Sequence, residues 1–131
     1  MAGYRGGVVG MTGRRILIVE DEMLIALMLQ SMLEALGHHV AGRAKTAAEA
    51  LSIIEAGAEG IDAATLDINL AGQPSYEVAD ALKEQELPYI VVSGYDDPKI
   101  LAAFHGRPVV HKPIMPRQLE QAIQSLEQRG A

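Results

Sequence analysis

The chain has 131 residues, 49% of them hydrophobic and 21% charged, proportions that suit one globular domain. It has no cysteine, which excludes disulfides and thiolate–metal sites, and a net charge of −6, the wrong sign for a nucleic-acid surface built on clustered Lys and Arg. No apolar run approaches the length of a membrane span, so a cytoplasmic protein that binds neither nucleic acid nor membrane is expected.

Residues 1–14 are rich in glycine and lack the apolar core of a signal peptide. They are expected to form a flexible tail. Residues 15–128 are expected to form the folded domain, with no effector domain attached. Ile16–Val19 is a short apolar run, read as a buried strand. From Glu22 to Leu36 apolar residues recur at Leu24, Leu27, Met28, Met32, Leu33 and Leu36, a helical stripe stopped by Gly37. Met23, Met28 and Met32 are read as core or boundary fillers. His39–Ala41 is a weak second strand. Thr46 with Glu49 three residues on forms a capping box for a helix to Ala56. Ala63–Leu66 is a third strand that leads into Asp67. "NLAGQPS" reads as a loop, and Ser75–Gln85 as a helix with Val78, Ala79 and Leu82 inward. "YIVVS" is a fourth strand, Asp96–Phe104 a short helix with Pro98 in its first turn, and "RPVVHK" a fifth strand. A last helix, Arg117–Gln128, faces inward with Leu119, Ile123 and Leu126.

Strands alternating with helices imply an α/β domain with a parallel sheet covered on both faces. The expected architecture is a doubly wound five-stranded sheet of order 2-1-3-4-5. Ligands of such sheets sit at the carboxyl ends of the strands. The first strand ends in Glu20-Asp21, the third in Asp67, the fourth in Ser93-Gly94 and the fifth in Lys112-Pro113. Two carboxylates 4 Å apart repel by roughly 4 kcal/mol at an effective dielectric near 20. A hard cation with oxygen ligands offsets that repulsion, and Mg²⁺ is the usual choice where phosphate is handled. Asp67 is then a nucleophile that forms an acyl phosphate, Lys112 stabilises charge on the transferring group, and the Ser93 hydroxyl donates to a phosphoryl oxygen. Glu22 more naturally opens the first helix, where its charge suits the dipole. His38, His39, His105 and His111 share no ligand spacing and are read as surface or packing residues.

The segments "ILIVEDE", "ATLDINL", "VVSGY" and "VVHKP" resemble the receiver domain of two-component response regulators, over about Arg15 to Gln128. The resemblance implies that Glu20 and Asp21 help bind Mg²⁺, Asp21 directly, and that the Asn69 backbone carbonyl completes the metal site beside Asp67. It makes Asp67 the phosphoacceptor, Ser93 the switch hydroxyl and Lys112 the family lysine, with a cis peptide between Lys112 and Pro113. The common "Asp-x-x-Met-Pro" is replaced by "DINLAGQPSY". The usual aromatic switch position holds Val109, whereas Tyr95 follows Ser93-Gly94, as in a subgroup of single-domain receivers. Tyr95 is therefore the expected switch aromatic. The donor implied is a histidine kinase or a histidine phosphotransfer protein, and the expected output is a protein partner on the fourth-helix to fifth-helix face.

Three other readings fit less well. An aspartyl-phosphate hydrolase would carry an acid two residues after the nucleophile, where this chain has Asn69. A flavodoxin-like FMN carrier would not place "EDE" where phosphate sits. A pseudo-receiver that binds partners without phosphorylation would not need so complete a site.

Overall fold

The computed structural model describes residues 13–94 and 98–127. The chain runs β1 (Arg15–Val19), α1 (Met23–Ala35), β2 (His39–Ala44), α2 (Ala47–Gly57), β3 (Ala63–Asp67), β4 (Asn69–Leu70), β5 (Gln73–Pro74), α3 (Tyr76–Glu84), β6 (Tyr89–Ser93), α4 (Pro98–Ala102), β7 (Val109–His111) and α5 (Pro116–Gln124). The main sheet is β2-β1-β3-β6-β7, all parallel, which is the 2-1-3-4-5 order with β4 and β5 set aside as a separate hairpin. No helix among the described residues is long and apolar enough to cross a membrane.

Because successive strand residues face opposite sides, each central strand feeds two cores. Leu17, Val19, Ala64, Leu66, Tyr89 and Val91 pack with α2 and α3. Ile16, Ile18, Ala63, Ile90 and Val92 pack with α1 and α5 through Leu29, Leu33, Leu119 and Ile123. Burial on both faces explains why these strands read as continuous apolar runs. β2 reaches Ala44, three residues beyond its expected end, because it follows β1 through an irregularity between Ile16 and Leu17. As an edge strand it alternates exposed and half-buried residues, and that pattern was too weak to mark its length.

The α2 start is as expected: the Thr46 Oγ1 accepts from the Glu49 N–H at 3.1 Å, and Glu49 Oε1 accepts from the Lys45 N–H at 3.0 Å. Gly37, at φ 94°, closes α1 in a left-handed conformation that suits glycine. The expected face of α1 holds in its second half, where Leu33 is buried and Met32 and Leu36 pack against the core, but is wrong in phase in its first half. Ala26, Leu29 and Leu33 are buried, whereas Leu24, Leu27 and Met28 of the expected stripe are exposed, with Met23 beside them. The helix is apolar on nearly all sides over Met23–Leu29, so periodicity alone did not select the buried face.

Other boundaries shift by a few residues. α3 begins at Tyr76 rather than Ser75, β7 is shorter than "RPVVHK", and α5 ends at Gln124 rather than Gln128. α4 covers Pro98–Ala102, and the Asp96 start expected for it lies outside the described residues. The expected tail lies outside them too, except for Gly13 and Arg14. Arg14 already belongs to the fold: its guanidinium donates to the Leu126 carbonyl at 2.9 Å and to the Glu127 carbonyl at 3.1 Å.

Candidate functional site

The carboxyl ends of β1, β3 and β7 bring the charged residues together. Glu20 follows β1 directly, and its N–H donates to the Ala44 carbonyl at 2.9 Å, which carries the strand geometry one residue further. The pairing of Leu66 with Val19, and of Asp67 with Val92, places Asp67 at the sheet edge between β1 and β6. Glu20 is 3% exposed and Asp67 5%, and Asp21 is half-buried. Lys112 follows β7, held by its N–H to the Ser93 carbonyl at 2.8 Å. Its peptide bond to Pro113 is cis.

The Lys112 ammonium donates to Asp67 Oδ2 at 2.9 Å and lies 3.5 Å from Glu20 Oε1. Asp67 Oδ1 accepts from the Asn69 N–H at 3.1 Å. Glu20 Oε2 accepts from the Glu22 N–H at 3.1 Å, and Asp21 Oδ2 from the Ala71 N–H at 3.0 Å. Glu20 Oε1 is buried without a hydrogen bond and has only the longer ion pair to Lys112. Carboxylate oxygens of Glu20, Asp21 and Asp67 all lie within 4.8 Å of one another. Three convergent oxygen donors, one of them an orphaned buried oxygen, fit a hard divalent cation.

The electrostatics reflect the crowding. Burial first, and then the Asp67 carboxylate, push the Glu20 carboxyl up to about 7, against the opposing pull of the Glu22 N–H and Lys112. Burial pulls Lys112 down, but its hydrogen bond to Asp67 and the charges of Asp67 and Glu20 outweigh that and hold it above its ordinary value. Lys112 is thus the cation that balances the buried carboxylates.

The Glu20 shift has a consequence for stability without metal. An acid whose folded pKa is raised binds more protons folded than unfolded, so the stability it confers is lost as pH rises from its unfolded value towards its folded one. Glu20→Gln removes that titration. The stability advantage of Glu20→Gln over wild type is expected to grow by about 2 kcal/mol between pH 5 and pH 8 in the presence of a chelator. Parallel urea melts at the two pH values measure it, and a pH-independent difference would contradict the raised Glu20 pKa. The comparison cancels other groups, including His38, whose pKa burial lowers and whose contribution runs the opposite way with pH.

Ser93 is fully buried at the end of β6, beside Asp67's strand. Tyr95 lies outside the described residues. Val109 is half-buried on β7. No histidine joins the Glu20, Asp21 and Asp67 cluster among the described residues: His38 Nδ1 accepts from the Arg14 N–H at 3.0 Å, and His105 bridges the Tyr89 hydroxyl at 2.7 Å and Asp80 at 3.3 Å.

Two features were not legible in the sequence. The segment read as a loop, Asn69–Pro74, is a hairpin whose central residues Ala71 and Gly72 have φ 53° and 86°, the signature of a tight primed turn. Alanine in that region costs roughly 1 kcal/mol, so it was a poor sequence signal for this turn. The other is Ser75, read as the start of a helix. Its hydroxyl instead donates to the backbone carbonyl of Asp67 at 2.5 Å.

Comparison with known proteins bears directly on this arrangement. Residues 16–124 match the family described as the response regulator receiver domain. The chain is 34% identical over 111 residues to the phyllosphere-induced regulator PhyR of Methylorubrum extorquens, covering 82% of this chain and 41% of that protein. It is 33% identical over 113 residues to the uncharacterized transcriptional regulatory protein YbdJ of Bacillus subtilis, covering 83% and 48%. The chain thus spans less than half the length of these curated relatives. Among solved structures, SdrG from Sphingomonas melonis Fr1 is 39% identical with a TM-score of 0.73, covering 86% of this chain and 95% of that one. The BeF3-activated conformation of SdrG from Pseudomonas melonis Fr1 is 41% identical with a TM-score of 0.72, covering 84% and 92%.

Proposed function

Because this chain belongs to the response regulator receiver family, we propose that it accepts a phosphoryl group onto Asp67 from the phosphohistidine of a histidine kinase or phosphotransfer protein, and signals through protein contacts. The observation that carries this reading is the convergence of Lys112, Asp67, Glu20 and Asp21 at one sheet edge. A carboxylate oxygen of Asp67 forms the new O–P bond while the donor's N–P bond breaks, and the histidine nitrogen leaves with the electron pair. Lys112, already 2.9 Å from Asp67, holds positive charge where the phosphoryl oxygens gather their negative charge. Asp21, Asp67 and the Asn69 carbonyl would hold Mg²⁺, with Glu20 assisting. When bound, the ion neutralises phosphoryl oxygens and the carboxylates together.

Ser93, buried at the end of β6, is the switch in this reading: its hydroxyl gains a new acceptor when Asp67 is phosphorylated, and exposed Gly94, which has no Cβ, can itself absorb a backbone change. Tyr95 takes the part of the switch aromatic that Val109 cannot. The exposed apolar residues Met23, Leu24 and Leu27 of α1 begin two residues after Asp21, where a phosphodonor protein would meet the site. Output passes to a protein partner on the α4–α5 face. In this reading the receiver, residues 15–128, acts as a single domain in the cytoplasm; the match covers 95% of the solved SdrG chain, which supports the single-domain part alone.

Intact mass measurement tests the reading. With acetyl phosphate and Mg²⁺ the protein is expected to gain one phosphoryl group, and with chelator in place of Mg²⁺ essentially none. A chain that gains nothing in either condition, yet still binds partners, would be a pseudo-receiver.

A further inference from the structure

Ser75 occupies the N-cap position of α3, where serine ordinarily accepts a hydrogen bond from a backbone N–H of the first helical turn. Here its side chain makes no cap hydrogen bond. It is 1% exposed and turns back towards the sheet, where the hydroxyl donates to the Asp67 carbonyl at 2.5 Å and lies 3.1 Å from the Ile68 carbonyl. Its own N–H donates to the Ile68 carbonyl at 2.8 Å. The one hydroxyl proton favours the shorter contact, so Ser75 serves the carbonyl of Asp67 itself.

That carbonyl sits where the sheet stops restraining the chain. The ladder between β3 and β6 ends with the Ile68 N–H on the Val92 carbonyl at 3.2 Å. Beyond it, the backbone enters the Asn69–Pro74 hairpin, which is tied to the site by the Asn69 N–H on Asp67 Oδ1 and the Ala71 N–H on Asp21 Oδ2. The Asp67–Ile68 peptide plane therefore governs two things: the direction of the Asp67 carboxylate, and the entry of the segment that carries Asn69.

We propose that Ser75 is a positioning residue of the phosphoacceptor site, its buried hydroxyl fixing the Asp67 backbone so that the carboxylate and the Asn69 carbonyl share one metal. This rests on the reading of Asp67 as phosphoacceptor. Ser75 touches no reacting atom. It acts through the peptide plane, and small displacements of a reacting group are enough to cost large factors in rate.

The test compares wild type, Ser75→Ala and Ser75→Thr. Mg²⁺ is titrated alone, followed by the amide shifts of Asn69 and Ala71, and phosphorylation by acetyl phosphate is followed by intact mass at saturating Mg²⁺. Ser75→Ala is expected to weaken Mg²⁺ binding about tenfold and to slow phosphorylation by at least about tenfold, and Ser75→Thr, which keeps the hydroxyl, to restore both. A role confined to stability would lower the Ser75→Ala melting temperature and leave both readouts within about twofold of wild type, a result that overturns the proposal. If Ser75→Ala does not fold, Ser75→Gly, which an N-cap position accepts, also removes the donor and carries the same comparison. Wild-type affinity and rate in the Gly variant would equally overturn it. If wild type itself neither binds Mg²⁺ nor gains a phosphoryl group, the receiver reading fails. If wild type does both and Ser75→Ala matches it, only the positioning role fails.

Discussion

Asp67→Asn is expected to gain no phosphoryl mass under conditions in which wild type gains one group. An acyl phosphate needs a carboxylate oxygen that can both attack phosphorus and keep a stable O–P bond, and an amide oxygen does neither. The other acids of the cluster are poorly placed to substitute. Glu20 Oε2 is committed to the Glu22 N–H, and Asp21 Oδ2 to the Ala71 N–H. Asp67 alone has an oxygen in a 2.9 Å contact with Lys112. The variant should still fold, because asparagine keeps the acceptor for the Asn69 N–H and removes one of three crowded negative charges. Intact mass with acetyl phosphate and Mg²⁺ measures the outcome. Labelling equal to wild type would move the phosphoacceptor elsewhere.

Lys112→Met should separate two roles that the wild-type lysine combines. Lys112 is the ion-pair partner of both Glu20 and Asp67, so methionine leaves buried carboxylates without their balancing cation. Breaking a buried pair from one side costs about 3–5 kcal/mol. The loss of metal-free stability should be smaller at pH 5, where Glu20, pushed up to about 7, takes up a proton, than at pH 8, where it is charged. Saturating Mg²⁺ is expected to recover much of that stability, since it supplies positive charge to the same oxygens. It should not recover the rate: loss of a positioned cation beside the transferring group is expected to slow phosphorylation about 10²–10³-fold. Urea melts with and without Mg²⁺, and time courses of phosphoryl uptake, measure the two effects. If Mg²⁺ restored both stability and rate, Lys112 would be a structural counter-ion and not part of the transfer chemistry.

The parts of this protein that were legible in the sequence have a common cause. β1 beyond Arg15, β3 and β6 are buried on both faces, so β1 and β6 appear as apolar, β-branched runs and β3 as an uncharged run of small and apolar residues up to Asp67. The polar residues that end them stand out for the same reason: Glu20, Asp67 and Ser93 follow such runs directly and are themselves buried. Alternation with helices then dictated a parallel sheet, and a parallel sheet dictated which strand ends lie together.

What escaped the sequence was decided by contacts between distant residues. The buried face of α1 could not be read from a segment as apolar as "MLIALML", and packing onto Ile16, Ile18 and α5 selected Ala26, Leu29 and Leu33, turning Leu24 and Leu27 outward. The Asn69–Pro74 hairpin gives no hairpin signal of its own, because its turn accepts Ala71 at positive φ while the Ala71 N–H reaches Asp21, fifty residues earlier. Ser75 looked like an ordinary helix start, since the carbonyl that claims its hydroxyl belongs to Asp67, a partner defined only once β3 and α3 are packed. The sequence by itself therefore determined the five strands of the main sheet, their order and which residues gather at their ends, because burial and period are local properties. Only the tertiary structure decided which helix face is free and which backbone atoms hold the site in register, because those depend on pairings that local sequence does not encode.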